Sequence, residues 1–404
     1  MTVSPAGNFG AQYLPIFDTR DRVNVVPCGH GESTFTFLNR VAGEYWDQVR
    51  DLIQRWANRI DDPAEYNEIR SRFLTPDDYA FRSTFLELYL HEALIRAGFV
   101  VKIHPDIPGT TRHPDFHAER DGEGFYLEAI SPAASDEVRG KAARTAQVYD
   151  AVNGIKNDDF LIYVTELHTG SGPVKVSRLR SDLEAWLNSF DVDDYQPGVP
   201  WPEKDWQVHD WSASFKAIPK PAHRRGEHEQ AIGIYPAAVE RIDEAPVILS
   251  ALLKKHKRYG TLSSPYVVAI GMYMSDTDRW HTSNALYGTL EYPLILKEGA
   301  GVVEGEPFRG PDGYFGVPDT WKNEHTSAVL LVNQLMPYYF HKPSVTDIDL
   351  WRHPAARYPL AENLGMPWSE VTFDAGLRVT PESIDRLEFF GLGGEWPSGE
   401  PWPR

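Results

Sequence analysis

HPDFHAERDGEGFYLEAIS, residues 113–131, carries two β-type segments, HPDF and GFYLEAI, around the turn DGEG. Gly and Asp tolerate tight-turn backbone, and the aromatic and β-branched residues on either side favour strands. Along GFYLEAI successive side chains point to opposite faces, so Phe125, Leu127 and Ala129 share one face while Tyr126, Glu128 and Ile130 share the other. Glu128 is therefore a carboxylate on a stiff strand among apolar neighbours, a costly place unless it is paired, hydrogen-bonded or bound to a metal. Pro114 biases His113 toward extended backbone just ahead of Asp115. A short hairpin then brings Asp115 and Glu128 together.

Working outward, FRSTFLELYLHEALIRAG (81–98) reads as a helix that carries Glu87 and stops at Gly98, and VVKIHPDI reads as a strand. Earlier in the chain, Trp46, Val49, Ile53 and Trp56 recur at helical spacing between about residues 43 and 60. Beyond the central stretch, 139–156 is helical in pattern and FLIYVTEL, from Phe160, is a buried-strand run. Ser181 and Glu184 have capping-box spacing ahead of a further helix, DVDDYQPGVPWPEKDW reads as a surface insertion, and DWSASFKAI alternates like a strand. ILSALLKKHKRYG is a helix closed by Gly260, PYVVAIGMYM is a second buried strand, and TSAVLLVNQL is one further strand in a C-terminal part rich in Pro, Gly and Trp. Strand, helix, strand thus occurs twice, which predicts an α/β core with helices over the sheet. The expected divisions are an N-terminal helical accessory region (1–78), a core (79–275) with an insertion around 171–230, and a C-terminal region (276–404) of unassigned role.

The 404 residues include 12 Trp, 19 Tyr and 19 Phe, enough for a large core, and 31 Pro with 31 Gly imply many irregular connections. A net charge of -18 excludes a surface coated in positive potential, so any nucleic-acid contact has to be local. Two basic runs can supply it, KAIPKPAHRR (216–225) and KKHKR (254–258). Cys28 is the only cysteine, which rules out intrachain disulfides and a cysteine-built zinc site. The N-terminus lacks the pattern of a secretion signal, and no apolar run approaches the roughly 20 residues of a membrane helix. The expectation is a cytoplasmic protein with no membrane partner.

Asp115 in a Pro-Asp pair, followed by Glu128 in an apolar strand, resembles the PD-(D/E)XK, or restriction-endonuclease-like, nuclease superfamily, in a divergent bacterial branch. The resemblance spans roughly 81–274. It implies a mixed β-sheet flanked by helices, with the intervening region as an insertion and with N- and C-terminal additions. Glu87 matches the acid that the superfamily carries on the preceding helix. The resemblance further implies a Mg²⁺ (or Mn²⁺) ion held by Asp115, Glu128, Glu87 and the carbonyl of Ala129, and hydrolysis of phosphodiester bonds in nucleic acid, DNA foremost. Defence against foreign DNA and a homodimeric state are expected on the same footing. The departure is at Ile130, where the superfamily has a lysine that orients the attacking water.

A replacement is available on the later helix. Ile248, Leu252, Lys255 and Tyr259 fall at i, i+4, i+7 and i+11, which puts Lys255 on the apolar, core-facing stripe. The spacing of Lys255 and Tyr259 resembles the Q-x-x-x-Y helix of RecB-like nucleases. Lys141, which shares a helical face with Val148, Val152 and Ile155, is the second candidate. The competing function is a nuclease-fold protein without catalysis, binding nucleic acid or protein, and a third is a metal hydrolase with another substrate. His113 and His117 read as ordinary loop histidines, and CGHGEST (28–34) reads as a Gly-rich turn without a nucleophile elbow.

Overall fold

Every residue of the strands Tyr266–Met272 and Ala328–Asn333 is buried, and the two pair in parallel. Strands covered on both faces read as unbroken apolar runs, and these two form the centre of an eight-stranded sheet. Its strands, in chain order, are β1 (Val100–Ile103), β2 (Phe116–Arg120), β3 (Glu123–Ile130), β4 (Tyr266–Met272), β5 (Ala328–Asn333), β6 (Asp347–Arg352), β7 (Ser369–Phe373) and β8 (Leu377–Thr380). They lie side by side in that same order. β1, β2 and β3 form an antiparallel meander, β3, β4 and β5 run parallel, and the remaining pairs are antiparallel except β6 with β7. This computed structural model describes residues 13–402 apart from 133–135, 196–197, 227–230, 235–242, 256–257, 261, 298–300 and 375.

Alternation along β5 sorts the two layers. Ala328, Leu330 and Val332 join a core with Trp56, Phe85 and Leu88, while Val329 and Leu331 join one with Ile248, Leu252 and Leu286. The first layer is built by the helices Glu44–Ala57, Pro63–Leu74 and Asp78–Arg96, the second by Ala245–Lys255 and Trp280–Tyr287. Asp62 and Asp77 cap the second and third of these helices by accepting backbone N–H groups, and Pro63 occupies a first-turn position where its missing N–H costs nothing. The protein is thus mixed α/β, a large mixed sheet flanked by helices. The C-terminal region contributes four strands to this sheet where one was expected.

Two compact units make up the chain: Met1–Pro27, Ser33–Ala133 and Ile242–Arg404 form the first, and Cys28–Glu32 with Ala134–Arg241 the second. The second has its own four-stranded sheet, in the order Glu203–Val208, Trp211–Pro219, Phe160–His168, Ile232–Ile234, and the helices Asp136–Asn153 and Val176–Leu187. Its core is separate, built on residues such as Val148, Phe160, Leu179, Leu183 and Phe215. The helix there starts at Val176, so Ser181 lies inside it and caps nothing. The buried Leu179, Leu183 and Leu187, spaced i, i+4, i+8, extend the helix past the local capping signal. The basic run 216–225 is not an open cationic patch: Lys216 pairs with Glu203 at 2.7 Å and Arg225 with Asp193 at 2.8 Å, while Lys220 donates to the Asn157 carbonyl at 2.8 Å. A turn does form at residues 30–32, with the His30 and Gly31 N–H groups donating to Asp150 at 2.7 and 2.9 Å, whereas Ser33 caps and Thr34 begins the helix Thr34–Arg40.

Among the described residues no helix is long and apolar enough to cross a membrane. Leu330 is fully buried at the centre of the larger sheet. Leu330→Ala is expected to destabilise the chain by about 2–5 kcal/mol through lost burial and the cavity left behind. Denaturant unfolding of the full chain measures this, and a loss under about 1 kcal/mol would contradict the assignment of β5 as the core strand.

Candidate active site

β3 places its residues as its alternation requires. Phe125, Leu127 and Ala129 pack in the core of the first helical layer, and Tyr126 and Ile130 pack against the second. Glu128 points to the second side with only 1% of its side chain exposed. Three groups meet it there. Lys255 Nζ donates to Oε1, Arg258 Nη1 reaches the same oxygen at 3.3 Å, and the Tyr259 hydroxyl bonds Oε2. The Tyr259 oxygen also lies 3.0 Å from the carbonyl oxygen of His113, which ties the Pro-Asp segment to this cluster. Burial and the adjacent Glu128 carboxylate both disfavour the phenolate, so Tyr259 is held well above its ordinary pKa and keeps its proton as a donor.

Asp115 sits just ahead of β2 and accepts the backbone N–H of Ala129 on Oδ2 at 2.6 Å. Its Oδ1 is 3.9 Å from His104 Nε2. Burial pushes the Asp115 carboxyl from 3.8 up to about 7, and the nearby Glu128 and Glu87 carboxylates add to the rise. The Ala129 N–H and Lys255 oppose it. Glu87, on the helix Asp78–Arg96, is held differently: Arg72 clamps both its oxygens, at 2.5 and 2.6 Å. That is the bidentate fork geometry of a guanidinium on a carboxylate.

Glu87, Asp115, Glu128, Ala129 and Lys255 all line one cavity of about 740 Å³, together with His104, Lys254 and Arg258. This is the size range of a ligand pocket. Ile130 also lines it, so the position of the superfamily lysine is an apolar wall, and the cation on Glu128 arrives from the helix Ala245–Lys255 instead. Lys141 is exposed on the helix Asp136–Asn153 of the second unit. His117 lies within β2 rather than in a loop, and its ring sits against Tyr126, 4.7 Å between centroids. His113 is at the cavity wall, near Asp106.

Arg72 and His104 escaped the sequence reading, while Arg258 was singled out only as part of the basic run 254–258 and not as a partner of Glu128; it lies three positions past Lys255, where the helix ends. Arg72 and Glu87 belong to different helices, and no local spacing announces their pair.

The donor set suits a hard divalent cation, which prefers carboxylate oxygens. The raised Asp115 pKa reports burial first and, after it, the repulsion of the Glu128 and Glu87 carboxylates at the same wall, which a bound cation relieves. Glu128 and Glu87 would have to exchange Lys255 and Arg72 for it.

The buried and crowded Asp115 carboxyl also predicts a pH signature. The folded chain keeps the Asp115 proton up to about pH 7, whereas the unfolded chain releases it near 3.8. Folding is therefore favoured by Asp115 below pH 3.8, and that contribution is lost as pH rises through 7. In chelator-containing buffer, Asp115→Asn, whose amide oxygen can still accept from Ala129, is expected to stabilise the chain at pH 8, by up to about 4 kcal/mol, since each pKa unit corresponds to roughly 1.4 kcal/mol. The gain should shrink toward pH 5 when melting temperatures are compared. A pH-independent difference would contradict a carboxyl whose burial and carboxylate neighbours hold its proton. These features stand on the chain's own geometry, since no family model, no curated protein and no solved structure matches it.

Proposed function

We propose that the chain is a nuclease of the PD-(D/E)XK type that hydrolyses phosphodiester bonds of nucleic acid, DNA foremost, with Mg²⁺ or Mn²⁺. The observation that carries this reading is the meeting of Glu128 and Lys255, residues 127 positions apart, beside Asp115 in a cavity of ligand size. The meander β1–β3 preceded by the Glu87 helix and followed by the Lys255 helix and the parallel strand β4 supports a restriction-endonuclease-like core.

Asp115 and Glu128, with Glu87 behind them, would hold the cation. Bound there, it would supply charge neutralisation for the phosphodiester and acidify an attacking water. Lys255 is a compact point charge that can turn from Glu128 toward a nonbridging phosphate oxygen, and Arg258 and Lys254 can take adjacent oxygens. Tyr259 keeps Glu128 fixed while Lys255 moves.

A second reading, a binding module without catalysis, is favoured by one observation: Glu128 is fully engaged by Lys255, Arg258 and Tyr259, and Glu87 by Arg72. Incubation with plasmid, single-stranded DNA and RNA plus Mg²⁺ or Mn²⁺ separates the two. The nuclease reading expects cleavage that Asp115→Ala and Glu128→Ala abolish and Lys255→Ala lowers by about 10²–10³-fold, the loss typical of removing one transition-state donor. Cleavage indifferent to these substitutions sinks the site assignment. Nucleic-acid binding without cleavage or divalent-ion uptake establishes the binding module.

A further inference from the structure

Behind the Asp115 wall lies a second, much smaller cavity, of about 10 Å³, lined by Glu65, Glu68, Arg72, Glu87, His91, His104 and Asp115 among others. That volume holds about one water or one ion. Glu65 and Glu68 stand one helical turn apart on Pro63–Leu74, and His104 follows β1 directly. One donor atom from each of these three residues can be chosen so that all lie within 4.8 Å of one another. Among the described residues, four carboxylates and one guanidinium, that of Arg72, line the cavity.

His91 is the independent sign of a ligand. It is 5% exposed, forms part of the same cavity wall, and its Nδ1 is buried with no hydrogen-bond partner. Buried ring nitrogens are almost always satisfied, and an orphan at a one-water cavity calls for a water or a hydrated ion.

We propose that Glu65, Glu68 and His104 form a second metal site, taking a divalent transition ion of the zinc type in preference to magnesium, with His91 facing the water that completes its coordination. The nitrogen donor selects the ion class, since imidazole suits Zn²⁺ and its neighbours whereas Mg²⁺ holds to oxygen. Ligands on a tetrahedral ion at roughly 2.0–2.1 Å sit about 3.4 Å apart, so the set has to close slightly, and the exposed Glu68 is free to swing inward. His104 Nδ1 hydrogen-bonds Glu65 Oε1 at 3.0 Å, a contact the ion would take over, and the other nitrogen of His104 faces Asp115, 3.9 Å away. Metal-bound histidines commonly donate their second N–H to a carboxylate, so the ion would orient Asp115 through His104. The site does not depend on the nuclease reading, because none of its three ligands is a proposed ligand of the hydrolytic cation.

The test titrates Zn²⁺ into the chelator-stripped full chain by calorimetry, with Co²⁺ absorption reporting the ligand type. We expect one Zn²⁺ per chain, retained in Glu128→Gln, not displaced by millimolar Mg²⁺, and weakened about 10–100-fold in Glu68→Gln and in His104→Asn. Asn tolerates the left-handed backbone of His104, whose φ is 43°. Should His104→Asn fail to fold, Glu68→Gln, at a surface position, decides alone. Zn²⁺ affinity unchanged in Glu68→Gln, or lost in Glu128→Gln, overturns the proposal. Zn²⁺ uptake as expected in a chain that cleaves no nucleic acid overturns the nuclease reading and leaves this one standing.

Discussion

A carboxylate embedded in the middle of a β-sheet cannot be left to itself. Glu128 is almost wholly shielded from water, with apolar or aromatic neighbours from Phe125 to Ile130 along its strand, and an unpaired charge there costs several kcal/mol. Its own strand has nothing to offer, since Ile130 is an aliphatic wall. The compensating groups therefore come from elsewhere in the chain, Lys255 and Arg258 as cations and Tyr259 as a hydroxyl. This requirement fixes how the helix Ala245–Lys255 lies on the sheet. Its apolar stripe, with Ile248 and Leu252, packs against the second face while its last turn delivers the ammonium to Oε1.

Around this pair the chain crowds three carboxylates, Glu128, Asp115 and Glu87, along one cavity. Asp115 accepts the Ala129 N–H beside Glu128, and its burial, with the nearby Glu128 and Glu87 carboxylates adding to the effect, holds its proton to about pH 7. Stability would be better served by an amide there. A buried and crowded carboxylate of this kind at a cavity wall marks a candidate ligand site. Arg72 restrains Glu87, and the small cavity beyond it extends the same acidic field to Glu65, Glu68 and His104.

Much of this was legible in the residues themselves. The alternation in GFYLEAI put Glu128 opposite Phe125 and Leu127, and the helical stripe put Lys255 inward, both from periodicity alone. What escaped has physical reasons. Leu377–Thr380 alternates apolar and polar residues over only four positions and is exposed throughout at the sheet edge, too short a pattern to announce a strand, and Ser369–Phe373 is short and lies among turns. The second unit's core is assembled from helices and strands that flank the Pro- and Trp-rich stretch, so local composition pointed to an insertion narrower than the unit Ala134–Arg241. The Arg72–Glu87 clamp joins two helices across a turn, and such pairs depend on packing angles that spacing does not encode.

The central claim is that Asp115 and Glu128 converge on one cation, with Lys255 standing in its place until it arrives. Anomalous scattering from crystals soaked in Mn²⁺ tests this most directly. The account predicts a peak within bonding distance of both carboxylates, about 2.0–2.3 Å, and a Lys255 ammonium withdrawn from Glu128. No peak at that wall, with Lys255 still on Glu128 at saturating Mn²⁺, would contradict it.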